Sequence, residues 1–99
     1  MDNFTKQIYE EFTIDANFGA NFTEPETITS QTVTAVDKSG IDVSASVTNQ
    51  ASVSNDGSKV SVLVRGGTAE NSPYKISFRC ITSNGNKWEY DVQMKIKEI

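Results

Sequence analysis

"YKISFRCITSNGNKWEYDVQMKI", Tyr74–Ile96, is two alternating runs around one turn. Tyr74, Ile76, Phe78 and Cys80 fall on one face of the first run; Trp88, Tyr90, Val92, Met94 and Ile96 fall on one face of the second. Side chains alternate across a strand, so each run predicts a strand with one buried face. The turn between them has to bring the two apolar faces together. A two-residue Asn84-Gly85 loop would set Cys80 against Glu89 and Phe78 against Asp91, which the two-residue period forbids. A three-residue loop, Ser83-Asn84-Gly85 with Gly85 left-handed, pairs Cys80 with Trp88, Phe78 with Tyr90 and Ile76 with Val92. That is a type I turn followed by a G1 bulge, and it predicts an antiparallel hairpin.

Outward from this hairpin the same alternation recurs. Val60, Val62 and Val64 share a face, as do Ile41, Val43, Ala45 and Val47, and further upstream Phe12 and Ile14. Val33 and Ala35 are in phase with each other but not with Ile28, so a bulge near Ser30 is expected. Asp37-Lys38-Ser39-Gly40, Asn55-Asp56-Gly57, Gly66-Gly67 and Asn84-Gly85 supply residues that tolerate positive φ. About seven short strands so punctuated predict an all-β fold, an immunoglobulin-like antiparallel β-sandwich. The expected core includes Phe12, Val43, Val62, Ile76, Phe78, Trp88 and Val92. Residues 1–8 are read as a flexible N-terminal arm and residues 9–99 as the domain, with a strand starting near Tyr9. Phe4, Ile8 and Phe12 also have helical spacing, with Asn3 as a possible cap, so a short helix stands as the alternative.

Composition narrows the chemistry. The chain has 99 residues, no histidine, one cysteine and a net charge of −4. Absent histidine removes imidazole-based triads and most zinc sites, and one cysteine cannot form an internal disulfide. The opening MDNFTKQIYEEF has no apolar run and does not read as a secretory signal; no stretch is apolar enough to span a membrane. Residues 1–50 hold eight acids and two bases, residues 51–99 five acids and seven bases. Such asymmetry suits steering of a protein partner. The bases are interleaved with acids, which argues against nucleic acid.

Four motifs invite chemistry. Gly66-Gly67-Thr68 resembles a phosphate loop but lacks its lysine and is followed by a strand pattern, so it reads as a crossover. Pro73 suits a strand's first residue, and Tyr74 suits a corner where its ring buries and its hydroxyl meets a backbone group. "DANFGANFTEPE" places Asp15, Asn17, Asn21, Thr23 and Glu26 at calcium-loop positions, but Gly19 and Ala20 remove a ligand and the turn glycine. It reads as a loop with Phe18 and Phe22 closing one end of the core. Cys80 reads as a buried hydrophobe, and no pair of carboxylates is placed by spacing. The expectation is no catalytic residue, no cofactor, no metal and no small-molecule substrate. The candidate interface is Phe4, Ile8, Phe18, Phe22, Leu63 and Ile81.

The order "EEFTIDA", "ETITSQTVTA", "IDVSAS", "VRGGTAENSPYKISFRCITSNG" and a charged alternating last strand resembles small single-domain virion proteins of tailed bacteriophages, of the fibre–tail adaptor type. The resemblance covers about residues 10–97. It implies a non-enzymatic structural subunit, assembled in the bacterial cytoplasm and carried in the virion, that contacts other virion proteins or copies of itself in a ring. The competing expectation is an immunoglobulin-like module that recognises carbohydrate or a cell-surface ligand.

Overall fold

A computed structural model describes residues 2–23 and 25–98. Its strands are β1 (Asp2–Gln7), β2 (Phe12–Asn17), β3 (Ile28–Val36), β4 (Thr48–Asn55), β5 (Lys59–Val64), β6 (Tyr74–Thr82) and β7 (Lys87–Lys97), with a 3-10 turn at Gly19–Asn21 and a turn of α-helix, α1 (Ser44–Val47). They form two sheets, a four-stranded one in the order β1-β7-β6-β3 and a three-stranded one in the order β2-β5-β4. The buried apolar residues lie between them, among them Val33, Val60, Val62, Val64, Ile76, Phe78 and Met94. This is the sandwich that the alternating runs predict.

The β6–β7 register is the one that the phase of the apolar residues demands: Cys80 faces Trp88, Phe78 faces Tyr90, and Ile76 faces Val92. Gly85 sits at φ +81°, and the Thr82 amide donates to the Asn86 carbonyl at 2.9 Å. The expected bulge is also present. The β3–β6 register shifts between Ile28 and Ser30, which turns Ile28 back into the core. At the β5–β6 crossover Gly66 and Gly67 both have positive φ. A Cβ on Gly67 would lie 2.9 Å from Cδ1 of Ile96, so this pair lets the chain pass close under the last strand. Tyr74 is buried, and its hydroxyl accepts from the Thr68 amide at 2.9 Å.

Three expectations need correction. Residues 1–8 do not form a free arm: Asp2–Gln7 pairs in parallel with β7, from Asp2 opposite Val92 to Gln7 opposite Lys97. Residue 1 lies outside the described residues. A parallel neighbour gives no turn signal and no local register, so nothing in the sequence announces it. Residues 41–47 are not a strand. Asp42 makes one isolated bridge to Val36, and its Oδ1 accepts from the Ser44 amide at 2.9 Å and hydroxyl at 2.7 Å, which starts α1 instead. Val43 is therefore only half-buried, as is Trp88. Phe12, expected in the core, is 36% exposed at the start of β2.

Candidate interaction surface

β1 and β2 lie in different sheets but on the same side of the sandwich. Each is the last strand of its sheet. The cleft between them, about 580 Å³, is lined by Phe4, Phe12, Ile14 and Tyr90, with Asp2 and Asp15 among its polar residues. Phe4 and Phe12 meet edge-on, ring centroids 5.8 Å apart. The Tyr90 hydroxyl donates to the Asp2 carboxylate, and this bond raises the phenol's pKa above its usual value, with burial adding to it.

The backbone of this side follows from the pairing of the inner strands. The Phe18 amide donates to the Ser58 carbonyl at 2.8 Å, one step beyond the Asn17–Lys59 pair of the β2–β5 register. Hydrogen-bonded pairs alternate in an antiparallel ladder. Phe12, Ile14 and Ala16 therefore spend their amides and carbonyls on β5, and Thr13, Asp15 and Asn17 point theirs away from the sheet. The opposite side of the sandwich is closed. There Gln50 Nε2 donates to the Val33 carbonyl at 3.0 Å, Asn55 Nδ2 to Gln31 Oε1 at 2.6 Å, and the Val43 amide to the Ala35 carbonyl at 2.9 Å.

The turn between β1 and β2 carries the most exposed large apolar side chains of this side: Tyr9 at 96% and Ile8 at 44%. It is held from below. Lys6 is buried, and its ammonium donates to the Gln7 carbonyl at 2.7 Å and the Ile8 carbonyl at 3.1 Å. Desolvation lowers the Lys6 pKa, against the opposing pull of Glu10 and Glu11. Glu10 Oε1 accepts from the Gln7 amide at 2.7 Å. The Ile8–Tyr9 tip is thus displayed on a fixed turn, so ordering it on contact costs little.

A second exposed patch lies at the other end of β7. Ile81 is 41% exposed and opposite Lys87, in a groove of about 380 Å³ that Ser30, Thr32, Arg79 and Glu89 also line. Arg79 donates to Glu89 across it; both side chains are exposed, so the pair adds little to stability. In the same groove Trp88 keeps a buried indole Nε1 with no partner among the described residues.

The sequence-derived interface residues separate accordingly. Phe4 and Ile8 belong to the β1–β2 side, and Ile81 to the second groove. Leu63 is half-buried on the outer face of the smaller sheet, between Thr13 and Asn49. Phe22 is partly buried against the core. Phe18 is 1% exposed and presents no surface; its alternation from Ala16 carries it inward, where it closes the end of the core together with Phe22. Tyr9 and Phe12 are the exposed apolar residues of this candidate surface that sequence reasoning did not name. The β1–β2 turn has no glycine, proline or asparagine to mark it, so Tyr9 read as the start of a strand.

No cluster of three or more metal-ligating side chains occurs among the described residues, and Asp15 and Asn17 of the calcium-like motif lie in β2 itself, with Asn17 Oδ1 accepting from the Gly19 amide at 3.0 Å. Among the described residues no helix is long and apolar enough to cross a membrane.

Comparison with solved structures agrees with the fold. Titin immunoglobulin tandem domains A164–A165 superpose with a TM-score of 0.60 at 6% identity, covering 100% of this chain, which spans 45% of that one. Murine CRIg superposes with a TM-score of 0.50 at 12% identity, covering 98% of this chain and 93% of that one. No curated protein matches the chain. A family model does, over residues 6–96; its description is podophage GP4 fiber-tail adaptor protein gp77. That match runs from Lys6 in β1 to Ile96 in β7, across both sheets, and the chain belongs to this family of fiber-tail adaptor proteins.

Proposed function

We propose that this chain is a non-enzymatic connector in the phage tail, holding a fibre component to a tail component through two separate surfaces. The carrying observation is the position of its exposed apolar side chains. Ile8 and Tyr9 follow Gln7, which pairs with Lys97 at the end of β7; Ile81 pairs with Lys87 at the start of β7. Ten residues of strand separate those pairs by about 33 Å, most of the 45 Å length of the molecule. A module that recognises one ligand needs one such surface, and a connector needs two. The rigid, fully paired β6–β7 hairpin between them transmits position without bending.

The experiment is complementation of particles. Phage assembled without this chain are expected to carry tails without fibres, and purified subunit added afterwards restores them. Fibres retained in the absence of the chain overturn the reading. Binding to a panel of host polysaccharides with no effect on fibre attachment would favour the carbohydrate-recognition alternative.

A further inference from the structure

We infer that the β1–β2 cleft takes an extended, basic segment of a partner protein as an added strand along the free edge of β2. This rests on the connector reading and specifies the chemistry of one of its two contacts. The first observation is a vacancy in the sheet order. Immunoglobulin sandwiches commonly carry four strands in the sheet that contains the second strand, the first being its outer neighbour. Here the first strand pairs with β7 in the other sheet, so the smaller sheet has three strands and β2 is its edge. The second observation is the backbone: Thr13, Asp15 and Asn17 present amides and carbonyls outward along that edge. A partner strand takes main-chain hydrogen bonds from such an edge and places alternate side chains in pockets beside it. The third is the floor of the cleft, where Phe4, Phe12, Ile14 and Tyr90 would receive those alternate side chains.

The fourth observation is charge, and it selects the occupant. Asp2 and Asp15 line the cleft, and no base does. Glu10 and Glu11 are exposed on the adjoining turn, while Lys6 of β1 is buried and bound to carbonyls. A segment that alternates apolar residues with lysine or arginine matches both the floor and the rim. A second copy of this chain does not: its bases on the outer face of the larger sheet, Lys75, Arg79 and Lys95, sit on strands already paired on both sides.

The probe is a capped peptide alternating valine with lysine and threonine, beside its glutamate-for-lysine counterpart. Amide hydrogen exchange of the intact chain, read by NMR, is the readout. In the free protein the amides of Thr13, Asp15 and Asn17 exchange faster than those of Ile14 and Ala16. Saturating basic peptide should slow all three by at least about tenfold, and the acidic peptide should not. Thr13→Pro removes one outward donor at a position where an edge strand tolerates proline, so melting should hardly change while peptide affinity falls at least about fivefold. Unprotected amides at all three positions, equal binding of the acidic peptide, or protection confined to Asn3 and Thr5 of β1 would each overturn the inference. In particles the two readings part: if the null phage loses its fibres but Thr13→Pro particles keep them, the strand-addition inference fails and the connector reading stands.

Discussion

Tyr74 shows how one side chain secures a crossover. Its ring is buried and its hydroxyl receives the Thr68 amide, so the loop that leaves β5 is fastened to the first residue of β6. Tyr74→Phe keeps the ring and strands one amide donor. The expected cost is about 1 kcal/mol, or a drop of roughly 4–8 °C in Tm for a domain of this size; an unchanged Tm would show that the hydroxyl contributes nothing. Cys80 makes a different point at the same scale. It is buried and free, and burial pushes its thiol pKa up, with the Trp88 backbone opposing. Burial wins, and the raised pKa and the lack of access keep it a poor nucleophile. A thiol reagent should label it slowly in the native protein and at once in denaturant, and equally fast labelling in both would place the side chain outside the core.

At the scale of elements, two turns depend on single carboxylates. The Ser44 amide and hydroxyl hold the Asp42 pKa below the usual aspartate value; at Asp56 the amides of Ser58 and Lys59 do the same. A carboxyl whose pKa is lower in the folded chain than in the unfolded one stabilises the fold above the unfolded value. That contribution is lost as pH falls through the lower, folded value. Tm should therefore start to fall below about pH 4. Asp56→Asn keeps an acceptor for the turn but cannot titrate there, so its Tm should fall less between pH 7 and pH 3 than that of the parent chain. A parallel fall in both proteins would assign the acid loss elsewhere. β1 supplies a larger test. Phe4 and Lys6 lie opposite Met94 and Ile96 and cover buried side chains of the last strand, so removing residues 1–7 should cost more than the burial of one phenylalanine, about 2 kcal/mol. A Tm lowered by more than about 10 °C is expected, and an unchanged one would return these residues to the status of an arm. The elements legible in the sequence were those with a local signal. The β6–β7 register followed from phase, the β3 bulge from a phase slip, and the Gly66-Gly67 crossover from two residues free to take positive φ. What was illegible had none. The parallel partner of β1 is 90 residues away. β4, with the sequence TNQASVSN, has almost no apolar face, because side-chain hydrogen bonds to β3 attach it where burial otherwise would. The Ile41–Val47 alternation looked like a strand until Asp42 bonded Ser44. The candidate surface followed the same rule: Ile8 and Ile81 stood out as apolar residues in polar company, and both are exposed, whereas Tyr9 and Phe12 were hidden by an unmarked turn.

Across the whole molecule the two patches can be separated because they lie on different elements, beside opposite ends of β7. Ile8 and Tyr9 are on the β1–β2 turn; Ile81 is on β6 beside the far hairpin. Surface changes away from caps and buried groups usually alter stability by about 0.5 kcal/mol or less, so Ile8→Asp with Tyr9→Ser, and Ile81→Asp alone, should each leave the sandwich intact and Tm within a few degrees. Their effects on attachment should differ. An added aspartate beside Glu10 and Glu11 strengthens an already acidic end and repels other acids, but it chiefly removes the apolar contact at that tip. Ile81→Asp puts a carboxylate near Glu89 in the groove that Trp88 lines, which weakens any partner that fills it with an apolar side chain. If each patch holds one partner, one variant stays bound to tails that carry no fibres, and the other stays bound to released fibres and is missing from the tails. The double variant binds neither. The measurement is sedimentation of tails and of fibres, each mixed with purified subunit and assayed for it in the pellet. Loss of the same partner by both variants would mean that the 33 Å span is one continuous contact, and the second partner would then have to be sought on the outer face of the smaller sheet, around Leu63.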